Sequence, residues 1–421
     1  MAAGRRTMRR AIVSALVRCA WSPALVLALG GPASAQALPS EPISLADGRL
    51  VLSGDVSGSI SSEPDSGYLN VGDYEHDELR LLRLGVTAAL YPAARISVLA
   101  EVRTEGWDQV EPYALFVRVR PWADRSFHVN VGRIPPTFGA FPRRSYGKAN
   151  LLIGQPLPFH YRTSIQPNAV PATADELLDV RALGGAEFVR YALGAQTSEQ
   201  GLPLVNVLRW DTGVQVGIGS RPVEVLAAVT TGSLSHPLVA DDNGGKQIVG
   251  RVTFRPSAAL SLGVSGARGA HLDDDLLEVL PDSETESFTQ VVVGVDAEYA
   301  RGAWLLRAEG LASSWRLPAV ETPRIDERLR SIGLTLEGQY RIAPGWYVAA
   351  RLGHLGFSEI TGTRFDREPT PWDEPVSRLE VGVGHYFLRN LIAKVAYQQN
   401  WRDDPYPSPG GFLAAQLLYW F

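Results

Sequence analysis

The 421-residue sequence holds one cysteine, Cys19, and only two methionines. A single thiol forms no intrachain disulfide, so stability has to come from packing or from a closed hydrogen-bonded sheet. Beyond residue 29 no apolar run approaches the roughly 18 residues of a spanning helix, so residence in a membrane would have to be as strands. The seven histidines and the lone cysteine form no metal-ligand cluster, and no glycine-rich phosphate cradle or nucleophile-elbow serine is present. Asp241-Asp242-Asn243-Gly244-Gly245 offers calcium-friendly oxygens but lacks the spacing and closing glutamate of a calcium loop, and reads as a turn. Arginines spread through alternating segments are not a nucleic-acid patch. No cofactor, metal or catalytic set follows from these residues, and the chain is expected not to be an enzyme.

What is present begins with Arg5, Arg6, Arg9 and Arg10, then the apolar stretch Ala11 to Leu29, then the small-x-small site Ala33-Ser34-Ala35. This is the order of a secretory signal peptide, expected over 1–35. Arg18 and Pro23 interrupt the apolar run and weigh against an uncleaved anchor. Cleavage after Ala35 removes Cys19 and five of the 40 basic residues but none of the 45 acidic ones, leaving a mature net charge of -10.

Period-2 alternation then recurs in sixteen segments, near 50–60, 77–91, 94–104, 112–120, 126–133, 204–219, 222–232, 246–255, 259–268, 289–300, 303–314, 330–342, 345–357, 376–387, 390–401 and 412–421. Most have the length of a tilted strand crossing an apolar band of about 25 Å. Their connections alternate between tight ones, such as Arg301-Gly302 and Ala343-Pro344, and long ones, such as 61–76, 105–111, 134–203 and 358–375. Short turns on one side and long loops on the other are the pattern of an outer-membrane barrel, with 36–49 as a short periplasmic segment ahead of it. Tyr91, Tyr299, Trp304, Tyr340, Trp346 and Phe387 border the short turns on the outward phase, as an aromatic girdle would. Alternation alone also suits a soluble sandwich with its apolar face inside.

The segment Phe412 to Phe421 carries Leu413, Ala415, Leu417, Tyr419 and Phe421 on one face. It resembles the closing strand of Gram-negative outer-membrane β-barrels. In that family the final aromatic is read by the barrel-insertion machinery, which makes Tyr419 and Phe421 the expected signal. The expected fold is an all-β, transmembrane antiparallel barrel of about 16 strands spanning 50–421, in the outer membrane.

The inward phase of such a barrel carries Arg83, Arg95, Arg103, Arg118, Arg120, Arg209, Arg251, Arg255, Arg307, Arg341, Arg351, Arg378 and Lys394. Against them stand Glu101, Asp211, Glu224, Asp296, Glu298, Glu309, Glu337 and Glu380. The basic excess predicts an anion-favouring lumen; the alternative is a scaffold in which opposite charges pair across strands. His128 and Asn130 share a face of one strand and read as a pore-lining pair. The third long connection, 134–203, follows the fifth strand, where the loop of porins folds inward and narrows the pore. Its passage Gly132 to Arg144 resembles the Gly-x-x-x-x-Pro-Phe-Gly-like stretch of phosphate-selective-type porins, although Thr137 separates Pro136 from Phe138. The later stretches 150–158 and 163–178 are similar to an uncharacterised outer-membrane protein family. Arg133, Arg143, Arg144, Lys148 and Arg162 make the front of this loop basic, and Asp175 and Glu176 begin an acidic, helix-compatible stretch. Segregated charge of this kind could set a transverse field at a constriction; the alternative is a lid or latch outside the barrel.

The reading that follows is a porin-like channel for passive diffusion of small hydrophilic solutes, with a homotrimer as a candidate assembly. Its rival is a barrel enzyme, or a structural or adhesin-like barrel with a plugged lumen. Uptake coupled to the inner membrane would need a folded plug domain ahead of the barrel, and only 36–49 are available.

Overall fold

The computed structural model describes residues 39–62, 82–105, 109–145, 147–184, 189–195, 199–207, 210–239, 245–277, 280, 288–318, 321–325, 328–402 and 411–421. The expected signal peptide, Arg209 and the Asp241–Gly244 part of the acidic turn fall outside this set. Ser40–Phe421 forms one compact unit.

Sixteen strands build it: β1 (Leu50–Ser61), β2 (Leu82–Ala93), β3 (Ile96–Glu105), β4 (Gln109–Val119), β5 (Phe127–Arg133), β6 (Thr212–Ser220), β7 (Val223–Thr230) and β8 (Gln247–Phe254) lead. β9 (Leu260–Ala270), β10 (Thr289–Arg301), β11 (Trp304–Trp315), β12 (Leu329–Ala343), β13 (Trp346–Phe357), β14 (Val376–Leu388), β15 (Leu391–Trp401) and β16 (Gly411–Trp420) complete the sheet. Each pairs antiparallel with its sequence neighbour, and β1 pairs with both β2 and β16, so the barrel closes without an edge. At the seam the Gly54 amide donates to the Phe421 carbonyl at 3.2 Å and the Phe421 amide donates back at 3.0 Å. Ile43–Leu45 adds a short antiparallel strand against Leu50–Leu52 of β1. Among the described residues no helix is long and apolar enough to cross a membrane.

The alternation runs opposite to that of a soluble sandwich. On the outside Val293, Val295, Ile332, Leu334 and Leu336 are 56, 60, 55, 50 and 58% exposed, whereas inward Gln290 and Glu337 are 1 and 8% exposed. A belt of bare aliphatic side chains around a closed sheet is stable against hydrocarbon and costly against water. Aromatics cluster at the short-turn end of that belt, where the Trp304 and Tyr340 rings lie 4.6 Å apart on neighbouring strands. The turns are tight because Gly302 and Gly345 adopt φ of +63° and +78°, a region that side chains with a Cβ avoid.

One strand is shorter than the alternation suggests: β6 starts at Thr212 rather than near 204, because Leu204, Val205 and Val207 are buried in the barrel interior as the end of the preceding loop. Positions 77–81 of the second expected segment lie outside the described residues. Of the connection expected at 105–111, Glu105 belongs to β3 and 109–111 to β4, and 106–108 lie outside the described residues.

The apolar core is not made by the wall alone. The segment after β5 folds into the barrel, and its Phe138, Phe141, Leu157, Phe159, Tyr161, Ile165 and Leu204 are buried with Tyr113, Trp315 and Trp372 in one cluster. A second cluster sets Leu152 and Ile153 against Ile392, Ala396, Phe412 and Leu418 of β15 and β16. Prolines keep much of this segment extended, and the short helix Ala174–Asp179 starts at Thr173, whose hydroxyl accepts from the Glu176 amide at 3.2 Å.

Candidate functional site: the barrel lumen

The inward loop lies on a bed prepared by the wall. A Cβ placed on Gly333 of β12 would lie 2.5 Å from Pro158 Cγ, one on Gly294 of β10 would lie 2.8 Å from Phe138 Cζ, and one on Gly382 of β14 would lie 2.8 Å from Leu152 Cδ2. Glycine at these inward positions therefore supplies room for the loop's larger side chains.

Charged wall residues then bind the loop's backbone. Glu309 of β11 accepts from the Ala140 amide at 2.9 Å and the Phe141 amide at 3.1 Å. Arg351 of β13 donates to the Gly154 carbonyl at 2.7 Å and to Asn150 Oδ1 at 2.6 Å. Arg378 of β14 donates to the Gln155 carbonyl at 3.0 Å. Lys394 of β15 donates to the carbonyls of Gly147, Asn150 and Leu152 at 2.6, 2.7 and 3.3 Å. Tyr347 adds a hydrogen bond to the Leu151 carbonyl at 2.9 Å, and Gln290 of β10 one to the Leu204 carbonyl at 2.8 Å. Buried charges are tolerable here because each finds several partners.

The same wall residues pair with one another. Arg351 joins Glu337 at 2.5 Å and Glu380 at 2.7 Å, and Arg307 joins Glu298 and Glu337, both at 2.9 Å. Loop residue Arg144 reaches Glu298 at 2.9 Å. Burial, then the neighbouring Arg307, holds the Arg144 pKa below its ordinary value. Elsewhere Arg251 pairs with Asp296 at 2.6 Å, Arg255 with Glu224 at 3.0 Å and Arg103 with Glu101 at 2.7 Å, with Arg103 also 3.4 Å over the Tyr113 ring. The inward charges on β7 to β14 thus form a cross-strand scaffold under the loop.

Several residues proposed from sequence lie elsewhere. Arg95 sits in the exposed β2–β3 turn, where it donates to the Pro121 carbonyl at 2.9 Å, because β3 begins only at Ile96. Arg341 is likewise exposed, near the end of β12, donating to the Gly302 carbonyl at 2.6 Å. Asp211 precedes β6 and accepts from the Gly232 amide and the Leu238 amide, each at 3.1 Å, so it caps a connection. Burial raises its pKa, with hydrogen bonds from Thr230, Leu238 and Gly232 opposing. Arg162 is 5% exposed inside the loop's own core, and Arg133 donates to the Trp210 carbonyl at 2.9 Å. Asp175 and Glu176 do not face the basic front of the loop. Asp175 accepts from the Thr363 amide at 2.7 Å on the connection between β13 and β14, and Glu176 accepts from the Ala172 amide at 2.7 Å. These contacts fasten the long-loop end.

That fastening centres on Asp373, a residue the sequence did not single out. Its buried carboxylate accepts from Tyr161 Oη at 2.9 Å, the Ser164 amide at 2.7 Å and the Ala182 amide at 2.9 Å. Beside it Glu374 pairs with Arg181.

At the short-turn end the lumen remains lined by polar side chains. Arg118 is half-buried, and its Nε donates to Asn130 Oδ1 at 2.9 Å. Asn130 passes the chain on to Gln215 Oε1 at 2.7 Å, and Gln215 to Thr137 Oγ1 of the loop at 2.7 Å. Arg120, Arg143 and Lys148 are exposed. Arg83, Arg103, Glu101 and Lys148 are the charged neighbours of Asp55 on β1. Tyr419 and Phe421 close the seam, their rings 6.4 Å apart.

No protein-family model and no curated protein matches this sequence. Solved structures do match. OmpF of Salmonella typhi, solved as a complex with daunomycin, aligns over 90% of this chain and all of its own at 12% identity, with a TM-score of 0.53. Outer-membrane-expressed OmpT of Vibrio cholerae aligns over 90% of this chain and all of its own at 9% identity, with a TM-score of 0.50. The fold is that of a porin-like outer-membrane β-barrel.

Proposed function

We propose that this protein is an outer-membrane channel of a Gram-negative cell, passing small hydrophilic solutes by diffusion and favouring anions. The observation that carries this reading is that the described residues of the connection after β5 pack inside a closed barrel with an apolar exterior, while the lumen keeps basic side chains at one end. Most inward carboxylates are already paired, whereas Arg118, Arg120, Arg143 and Lys148 have no carboxylate partner among the described residues. The residual lumen field is therefore positive although the mature chain is acidic overall. Electrostatics of this sign lower the barrier for anions and raise it for cations. Arg83, Arg118, Arg120 and Lys148 would line the path, and the girdle end with its short turns would face the periplasm, where Tyr419 and Phe421 meet the insertion machinery.

A second reading, a barrel closed by its own loop, is favoured by the dry cluster around Phe159, Tyr161 and Trp372 at the long-loop end. The two separate in a planar bilayer. The channel gives discrete conductance steps and an anion-directed reversal potential under a salt gradient; a closed barrel gives neither.

A further inference from the structure

We propose that the short-turn rim of the barrel holds two seats for the phosphate of an anionic phospholipid, one formed by Arg95, Arg125 and Trp122 and the other by Arg301, Arg341 and Trp304. The proposal rests on the closed barrel and its apolar belt and is independent of whether the lumen conducts.

In each seat an arginine reaches from one connection across to the next. Arg95, between β2 and β3, donates through Nη1 to the Pro121 carbonyl at 2.9 Å, and the Arg120 amide donates to the Arg95 carbonyl at 2.8 Å. The Arg95 guanidinium is thereby held at the start of the β4–β5 turn, where the guanidinium carbon of Arg125 lies 5.7 Å from the centre of the Trp122 ring. The second seat repeats the arrangement. Arg341, near the end of β12, donates through Nη2 to the Gly302 carbonyl at 2.6 Å, and its amide donates to the Ala303 carbonyl at 3.0 Å. That fixes it beside Arg301, whose register partner across the β10–β11 turn is Trp304.

All four arginines are exposed, and none has a carboxylate partner among the described residues. Asp124 is the one acid on these turns, and it makes no ion pair with them. Guanidinium groups gathered without counter-charge repel one another, and a phosphate between them relieves that repulsion. Their planar forks also match its paired oxygens.

The rings favour a lipid as the source of that phosphate. Trp122 and Trp304 are 46 and 53% exposed. Trp122 stands edge-on to Phe127 at 5.0 Å, and Phe127 shares its register row with outward Ile218; Trp304 lies against Tyr340 at 4.6 Å. Such rings settle between headgroups and acyl chains. A phosphate held by the arginines would therefore have its chains run along the outward aliphatic face, past Val117 and Val131 at one seat and Leu306 at the other. The ammonium of a zwitterionic headgroup would oppose the guanidinium groups, so an anionic headgroup fits better. Arg221, exposed on the same rim, makes neither a ring contact nor a side-chain bond to another turn among the described residues, and Arg389 pairs with Glu41 at 3.0 Å.

The test follows lipid retention by native mass spectrometry of the folded barrel in detergent, titrated with phosphatidylglycerol and separately with phosphatidylcholine. Two phosphatidylglycerol molecules should bind saturably, and phosphatidylcholine more weakly. R125Q should lose one and R301Q the other, each with affinity about tenfold lower at its seat, the worth of a charge-assisted hydrogen bond. The double variant should lose both. R221Q removes one charge from the same rim without touching a seat and should keep both. Inorganic phosphate at the same concentration should displace neither, because it lacks the chains. Retention without saturation, equal retention of the two lipids, both lipids kept in the double variant, an equal loss in R221Q, or displacement by inorganic phosphate overturns the proposal. R95Q and R341Q test the same two seats from the neighbouring strands, so a variant that fails to fold still leaves one reporter for each seat.

Discussion

The ladder beneath the loop makes a quantitative prediction for Arg351→Met. Arg351 is 1% exposed and holds Glu337, Glu380, the Gly154 carbonyl and Asn150 at once. Methionine matches the aliphatic stem but supplies none of the five donors. Breaking a buried ion pair by removing one partner costs about 3–5 kcal/mol, because the remaining carboxylate stays buried. Here Glu337 keeps Arg307 at 2.9 Å, which points to the lower end of that range. About 3 kcal/mol is roughly a hundredfold shift in the balance between the seated and unseated 147–155 segment. Hydrogen exchange should therefore quicken for amides of 150–155 while β-strand amides elsewhere keep their protection, and single-channel current should become noisier. Combining R351M with E337Q and E380Q removes the stranded charges and should recover most of the loss. Unchanged exchange in R351M, or a triple variant worse than the single one, would refute the view that this ladder seats the loop.

Gly333→Val should unseat the loop by a different route, since its Cβ would meet Pro158 Cγ at 2.5 Å; overpacking of this kind costs about 1–3 kcal/mol and should appear as faster proteolysis within 134–207. Asp373→Ala strands the Tyr161 hydroxyl and the amides of Ser164, Ala182 and Glu374, at about 1–3 kcal/mol each, and should loosen the long-loop end in limited proteolysis while the barrel keeps its strand circular dichroism. Acid should act on the same end through His271. Burial, then His236, lowers its pKa to about 3. An imidazole depressed in the folded state contributes full stability above its unfolded value of about 6.5 and loses it as pH falls. At pH 4 the loss is about 3 kcal/mol, visible as exchange of the 271–277 amides that His271→Phe should abolish.

Much of the barrel was legible because its strands obey a period of two, and each strand announces itself without reference to its partners. The sixteen strands, the tight turns at Gly302 and Gly345 and the outward aliphatic face follow from that local rule. The inward charges were legible as residues but not as pairs. Register decides that Arg351 faces Glu337 on one side and Glu380 on the other, and register is a tertiary property. The loop was the least legible part, since its apolar residues have no period. Two signals were nonetheless present in the sequence. Phe138, Phe141, Leu152, Leu157, Phe159 and Ile165 are too many large apolar groups for a solvated connection, and the inward phase of β10, β12 and β14 carries glycine at 294, 333 and 382 where a strand ordinarily prefers bulk. Asp373 and Tyr161 lie 212 positions apart, and their contact had no local trace.

The proposal that a loop seated inside this barrel sets a narrow, anion-favouring path is best tested by single-channel recording under a salt gradient, comparing the protein with a variant in which 140–205 are replaced by a short glycine-serine turn. Small, discrete, anion-directed currents are expected for the first and several-fold larger, less selective currents for the second. Equal conductance in both, or silence in both when the barrels are folded and inserted, would contradict it.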